Sequence, residues 1–305
     1  MKKTMLWALT SAIVLASCGE KTQPEPQTAD ANQFVRVQGP DLIQPNGEKL
    51  FIVGTNLGNW LNPEGYMFGF QKCNSGHWIN EMFCQLVGPD ATAEFWAKFK
   101  DQYITRKDIE FIAKTGANTI RMPFNYKLFT DEDYLDMTGQ GDGFKRIDDV
   151  IGWCRKHGLK VILDMHACPG GNTGDNIDDS CGHAWLFEEA CYQKQYCEIW
   201  RKIAARYADE PVVLGYDLMN EPISSRLANM AELNKQLERV QFMAIDAIRS
   251  VDRNHVVILA GGQWNGFGPS DSVTQFSMDE ETSLSLKAMT IGDNHTIRFM
   301  GGTIA

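Results

Sequence analysis

Five times along this chain a short apolar run, rich in β-branched residues, ends abruptly on polar or aromatic side chains. The runs are FIVGTNLG (51–58), NTIRMPFNY (118–126), KVILDMH (160–166), VVLGYDLMNEP (212–222) and HVVILAGGQW (255–264). Near-continuous apolar runs of this length predict parallel strands buried on both faces. Between them the apolar spacing changes to three and four residues, which predicts helices over 91–99, 106–114, 145–157, 188–207 and 230–251. The fourth helix carries a stripe of Tyr192, Tyr196, Ile199, Ile203 and Tyr207, and the fifth one of Leu233, Leu237, Val240, Ala244 and Ile248. Both stripes read as core-facing surfaces. Thr105 with Asp108 is a start signal for the second helix and Gly116 a stop, whereas Asn229 with Glu232 resembles a capping box only loosely. Asn46-Gly47 predicts a hairpin turn ahead of the first long strand. Strands that alternate with helices and deliver polar groups at one end have the layout of a (β/α) barrel, whose chemistry gathers at the C-terminal mouth.

The N-terminus breaks this rhythm. Lys2 and Lys3 precede an apolar core, Leu6 to Ala16, that is too short to span a bilayer. It ends in Leu15-Ala16-Ser17-Cys18, which resembles the lipobox of bacterial lipoproteins, against the alternative of an ordinary signal peptide. On the lipobox reading residues 1–17 are a signal peptide and Cys18 becomes the lipidated N-terminus. Gly19 then fits sorting to the outer membrane. Residues 18–33 are polar with two prolines and form a tether.

The rest is long enough for one α/β domain. Composition is that of an ordinary globular chain, 43% hydrophobic and 22% charged. The net charge of −10 argues against nucleic acid or anionic lipid as a partner.

The buried carboxyl at the end of the fourth run is costly unless it is paired or does chemistry. In chain order GTNLGNWLNPEG (54–65), NTIRMPFNY (118–126), LDMH with PGGNTGDNIDDS (163–180), DLMNEP (217–222) and AGGQW (260–264) resemble glycoside hydrolase family 5, the cellulase-like retaining β-glycosidases. The resemblance implies a (β/α)8 TIM barrel acting on a β-linked oligo- or polysaccharide, with no cofactor. Retaining hydrolysis needs a protonated acid and an ionised nucleophile about 5–5.5 Å apart. The match carries the acid/base role to Glu221 and a contact with the sugar 2-hydroxyl to Asn220. Arg121 and His166 match positions lining the same floor, where a guanidinium keeps the nucleophile ionised. Trp264 matches the aromatic position of the fifth strand. Trp60, Tyr126 and Trp185 are either sugar-stacking faces or core.

Three further features carry readings of their own. Cys73, His77 and Cys84 sit in a Gly- and aromatic-rich loop without a fourth ligand, which favours a disulfide or simple packing over metal. With Cys18 assigned to lipid, Cys73–Cys84 and Cys168–Cys181 are the preferred pairs. Residues 175–179 resemble a calcium-loop fragment but lack its Gly and distal Glu; the family resemblance, which includes a similar loop over the active site, implies a substrate-side lid instead.

The barrel pattern stops near residue 264. Residues 265–305 carry neither the family's His-x-Tyr strand nor its Gly-Glu strand, and three further βα units need about 90 residues. The domain is therefore expected over 34–264 as an incomplete barrel, strands one to five legible and six to eight missing. A reading-frame shift near residue 268 or a shortened gene is the expected cause. Two functions fit: an exported, lipid-anchored glycosidase, or a glycan-binding lipoprotein derived from one.

Overall fold

A computed structural model describes residues 33–262, apart from 40, 133 and 136–141. Cys18, Trp264, the signal peptide and the tail lie outside the described residues.

A small antiparallel hairpin comes first, β1 (Arg36–Gln38) with β2 (Asp41–Ile43). The Asn46-Gly47 turn follows it: Gly47 N–H donates to Gln44 O, and Ile43 bridges Lys49. Next is β3 (Gly54–Asn56), and then a helix the sequence reading did not contain, α1 (Gly76–Val87). Its N-cap is Ser75, whose hydroxyl accepts from Trp78 N–H. The segment read as a loop because Trp78, Leu86 and Val87 are exposed and blur the apolar stripe. Gly88 (φ +86°) and Pro89 at the next N-terminus separate it from α2 (Pro89–Gln102). Trp96 of α2 is fully buried among Phe68, Phe83, Phe95 and Phe99.

The βα rhythm then runs as expected. It comprises α3 (Arg106–Lys114), β4 (Thr119–Asn125), α4 (Asp142–His157), β5 (Lys160–Ala167), α5 (Ala190–Tyr207), β6 (Val213–Asp217), α6 (Met230–Arg249) and β7 (Val256–Ile258). The capping box of Thr105 and Asp108 is complete in α3. The five strands from β3 to β7 are parallel and adjacent in chain order, the wall of a (β/α)8 barrel. Their outer face packs on the stripes of α5 (Tyr196, Ile199, Ile203) and α6 (Leu233, Leu237, Val240).

On the inner face the register lines up Asn56, Arg121, Ile162, Gly215 and Val256 in one row. Two residues towards the mouth it lines up Pro123, Asp164, Asp217 and Ile258. Val35 and Leu42 of the N-terminal hairpin region cluster with the apolar members, Ile162, Val256 and Ile258, and with Leu214 beside them. Charge in these two rows is limited to Arg121 in the first and Asp164 and Asp217 in the second. Glycine is needed at 215 in the first row, because a Cβ there would lie 2.3 Å from Val256 O.

All seven described cysteines are free thiols, which corrects both expected disulfides. Cys84 sits about 12 Å along α1, with Cys73 before its N-cap, against a Cα reach under about 7 Å for a disulfide. Cys168 is fully buried, its Sγ against Met165 O, while Cys181 is exposed.

Candidate active site

The mouth is organised by one guanidinium. Arg121 rises from β4 between the carboxylates of the two strands that follow. Its Nη1 lies 3.0 Å from Asp164 Oδ2 of β5, and its Nε and Nη2 each lie 2.8 Å from Asp217 Oδ2 of β6. All three side chains are buried. Burial opposes the charge on Arg121, and the two aspartates hold it in place. Burial raises the Asp217 carboxyl against the pull of the same guanidinium. Asn220 Oδ1 accepts from Arg121 Nη2 at 3.0 Å. Arginine can only donate, so the amide oxygen of Asn220 is used there and its NH2 is the group left to donate at the cavity wall.

His166, at the end of β5, stands between two further carboxylates. Nδ1 is 2.6 Å from Asp164 Oδ2 and Nε2 is 3.1 Å from Glu64 Oε1. Both ring nitrogens face acceptors, so both carry hydrogen and the ring is an imidazolium. Burial alone would depress it, but Asp164 and Glu64 raise its pKa to about 10.

That value has a pH consequence. The unfolded imidazole titrates near ~6.5. The folded state therefore gains stability from His166 that is fully present below ~6.5 and is lost as pH rises through about 10. The thermal midpoint of the protein should fall across that interval more steeply than that of His166→Gln. Equal slopes would contradict the assigned charge.

Glu64 was not singled out by the sequence reading. It lies in the loop after β3, with its N–H held by Asn59 Oδ1 at 2.9 Å and its carboxylate against the Tyr66 phenol as well as His166. Asn59 adopts φ +59° to make that bond. Burial, with Glu64 second, pushes the Tyr66 phenol up to about 12. The available signal was a carboxylate a few residues past a strand end, inside the loop that matched the family.

Glu221 completes the group. It is half-buried at the mouth, and its pKa is raised by burial first; His166 opposes the rise and Glu64 adds to it. Glu64, Tyr66, Arg121, His166, Asn220 and Glu221 line one cavity of about 430 Å³.

The other aromatic candidates are not there. Trp60 is core: it is 1% exposed and its Nε1–H donates to Lys100 O at 2.8 Å. Tyr126 is buried and its hydroxyl donates to Glu132. Trp185 is partly exposed against His183, away from the cavity lining. The 175–179 loop is tied by protein contacts, Asp175 to Arg226 and Asp179 to Lys127 and the His77 N–H. Among the described residues no group of three or more His, Cys, Asp or Glu could hold a metal.

Sequential parallel βα units with carboxylates gathered at the strand ends are the architecture of a (β/α)8-barrel glycoside hydrolase. The cellulase model (glycosyl hydrolase family 5) matches residues 76–295, and the chain belongs to that family. The match runs past residue 264, where the motif likeness read from the sequence stops. A β-xylosidase of Phanerodontia chrysosporium is 31% identical over 229 residues, 75% of this chain and 46% of that protein. Endoglucanase C of Acetivibrio thermocellus is 31% identical over 215 residues, 70% of this chain and 51% of that protein. The chain spans about half the length of these curated relatives. The crystal structure of AoRut shares the fold, with a TM-score of 0.58 at 20% identity, covering 70% of this chain and 62% of that one.

Proposed function

We propose that this protein cleaves β-glycosidic bonds of a cellulose-like or other β-glucan polysaccharide by retaining double displacement, with Glu221 as acid/base. The observation that carries the reading is Glu221 itself, half-buried beside Glu64 at a strand-end turn, where burial favours its protonated form. Protonated Glu221 gives its proton to the glycosidic oxygen as a second, ionised carboxylate bonds to the anomeric carbon and the glycosidic bond breaks. The resulting Glu221 carboxylate then takes a proton from the water that displaces that second carboxylate and releases the sugar. The NH2 of Asn220 reaches the 2-hydroxyl, Arg121 and His166 fix the charged floor, and Trp264 offers a stacking face. The names of the relatives, an endoglucanase and a β-xylosidase, are consistent with a β-linked substrate.

One observation favours a second reading, a glycan-binding protein that keeps the cleft. The described carboxyls that bear on Glu221, Glu64 and Asp164, are both engaged by His166. Incubating the full chain with soluble β-glucans, mannan and xylan, with glycan binding measured in parallel, separates the two. New reducing ends support hydrolysis, and binding without them supports the second reading.

The proposal extends to location. Residues 1–17 act as a lipoprotein signal and Cys18 carries the lipid that holds the domain to the outer membrane through the 18–33 tether. No described helix is long and apolar enough to cross a membrane. Cys18→Ser should leave the protein unlipidated and release it from the membrane fraction; unchanged partitioning would refute the anchor.

A further inference from the structure

The turn that carries Glu221 is strained. Glu221 has φ +43° and Ile223 φ +59°, with Pro222 between them. Left-handed backbone is uncommon in residues other than glycine and is an outlier for a β-branched one. It persists only where surrounding groups over-determine it. The partners of this turn come from the loop after β5. Asn172 Nδ2 donates to Asn220 O at 2.6 Å, Ile223 N–H donates to Asn172 O at 2.8 Å, and Ser224 N–H donates to Thr173 O at 2.6 Å. Two of these bonds belong to one residue, and they flank Glu221 on either side.

Asn172 is itself fully buried and fixed on its remaining atoms. Its Oδ1 accepts from Cys168 N–H at 3.0 Å, and its N–H donates to Asp178 Oδ2 at 2.8 Å. Asp178 is buried too and also accepts from the Thr173 N–H and hydroxyl and from the Ser180 N–H. A Cβ at Gly171 would meet Ser180 at 2.5 Å, and one at Gly174 would meet Leu227 at 2.4 Å. The loop is a packed block.

We propose that Asn172 is the positioning residue for Glu221: its side-chain NH2 and its backbone carbonyl hold Glu221 and Ile223 of the 220–224 turn in left-handed backbone, and Asp178 braces Asn172 from behind. The inference rests on Glu221 as the acid in the proposed function. Asparagine suits the task because one side chain must donate to Asn220 O while accepting from Cys168 N–H. Aspartate keeps the acceptor and loses the donor, and alanine loses both.

The test uses the full chain with Asn172→Asp, Asn172→Ala and Asp178→Asn, beside the remote core control Ile248→Val. Amide exchange at Ile223 and Ser224 is read directly, and the Glu221 carboxyl is titrated by carbon NMR, with Glu221→Gln identifying its signal. We expect about tenfold or faster exchange at those two amides in the Asn172 variants, with β6 still protected. The Glu221 titration should move, and kcat on oligosaccharide should fall by up to about 10²-fold while KM stays within about twofold. The control should change none of these. Should Asn172→Ala fail to fold, Asn172→Asp and Asp178→Asn carry the same readouts. Wild-type exchange at Ile223 and Ser224 together with an unmoved Glu221 titration would overturn the proposal. Absence of hydrolysis by the unaltered chain would instead refute the acid role, and the exchange result would still decide how the turn is held.

Discussion

Replacing Arg121 by methionine should lower the stability of this protein by about 3–5 kcal/mol, the usual loss when one partner of a buried charge network is removed. The reason lies in what remains. Asp164 is fully buried and Asp217 nearly so, and both face Arg121 at 2.8–3.0 Å. Methionine fills most of the volume but leaves two carboxylates on neighbouring strands without their shared counter-charge. His166 relieves Asp164 in part through Nδ1, whereas it acts on Asp217 only through its charge, the weakest of the influences there. Asn220 also loses the donor that sets its amide orientation. Arg121→Lys should recover only part of the loss, since a single ammonium cannot reproduce the fork that meets Asp164, Asp217 and Asn220 together. Urea unfolding measures this as a lower midpoint at unchanged slope. A loss below about 1 kcal/mol would mean that the network is far better solvated than its burial implies.

Glu221→Gln should produce the largest change in rate, a fall of about 10²–10⁴-fold in hydrolysis of unactivated oligosaccharides. Glutamine keeps the shape and has no proton to transfer. Alkoxide leaving groups of natural glycosides depart poorly unless protonated as the bond breaks, so the loss falls on them. Aryl leaving groups that depart as stable anions need little protonation, and for these the variant should retain much more of its bond-breaking rate. Equal loss on both substrates would assign Glu221 another role. His166→Ala should cost less than Glu221→Gln, because the imidazolium organises Asp164 and Glu64 but transfers no proton to the sugar.

Much of the frame was legible in the chain because strand runs and helical stripes report burial directly. The capping box at Thr105 and Asp108, the α5 face of Tyr196, Ile199 and Ile203, and the α6 face of Leu233, Leu237 and Val240 all occupy the expected places. Helix α1 was hidden because its exposed Trp78, Leu86 and Val87 interrupt the apolar period. Trp60 and Tyr126 show the limit for side chains near the mouth. An aromatic after a strand end can turn inward or outward, and the choice rests on partners distant in sequence, Lys100 O for Trp60. Spacing alone likewise misplaced the cysteines, since it carries no information on which thiols are buried. The motif residues Arg121, His166, Asn220 and Glu221 do line one cavity. Glu64 and Asn172 were missed as site residues because their importance lies in hydrogen bonds to other loops, to His166 and to the Asn220 carbonyl. Strain at Glu221 has no sequence signature beyond the proline that follows it.

The measurement that bears most directly on the central claim is the anomeric configuration of the first sugar released. A defined β-linked gluco-oligosaccharide is mixed with the full chain and proton NMR is recorded before mutarotation scrambles the product. A retaining hydrolase with Glu221 as acid/base releases the β-anomer first, with the α-anomer growing in only at the spontaneous rate. Release of the α-anomer first would contradict the double displacement, and no release in the presence of saturable binding would contradict hydrolysis itself.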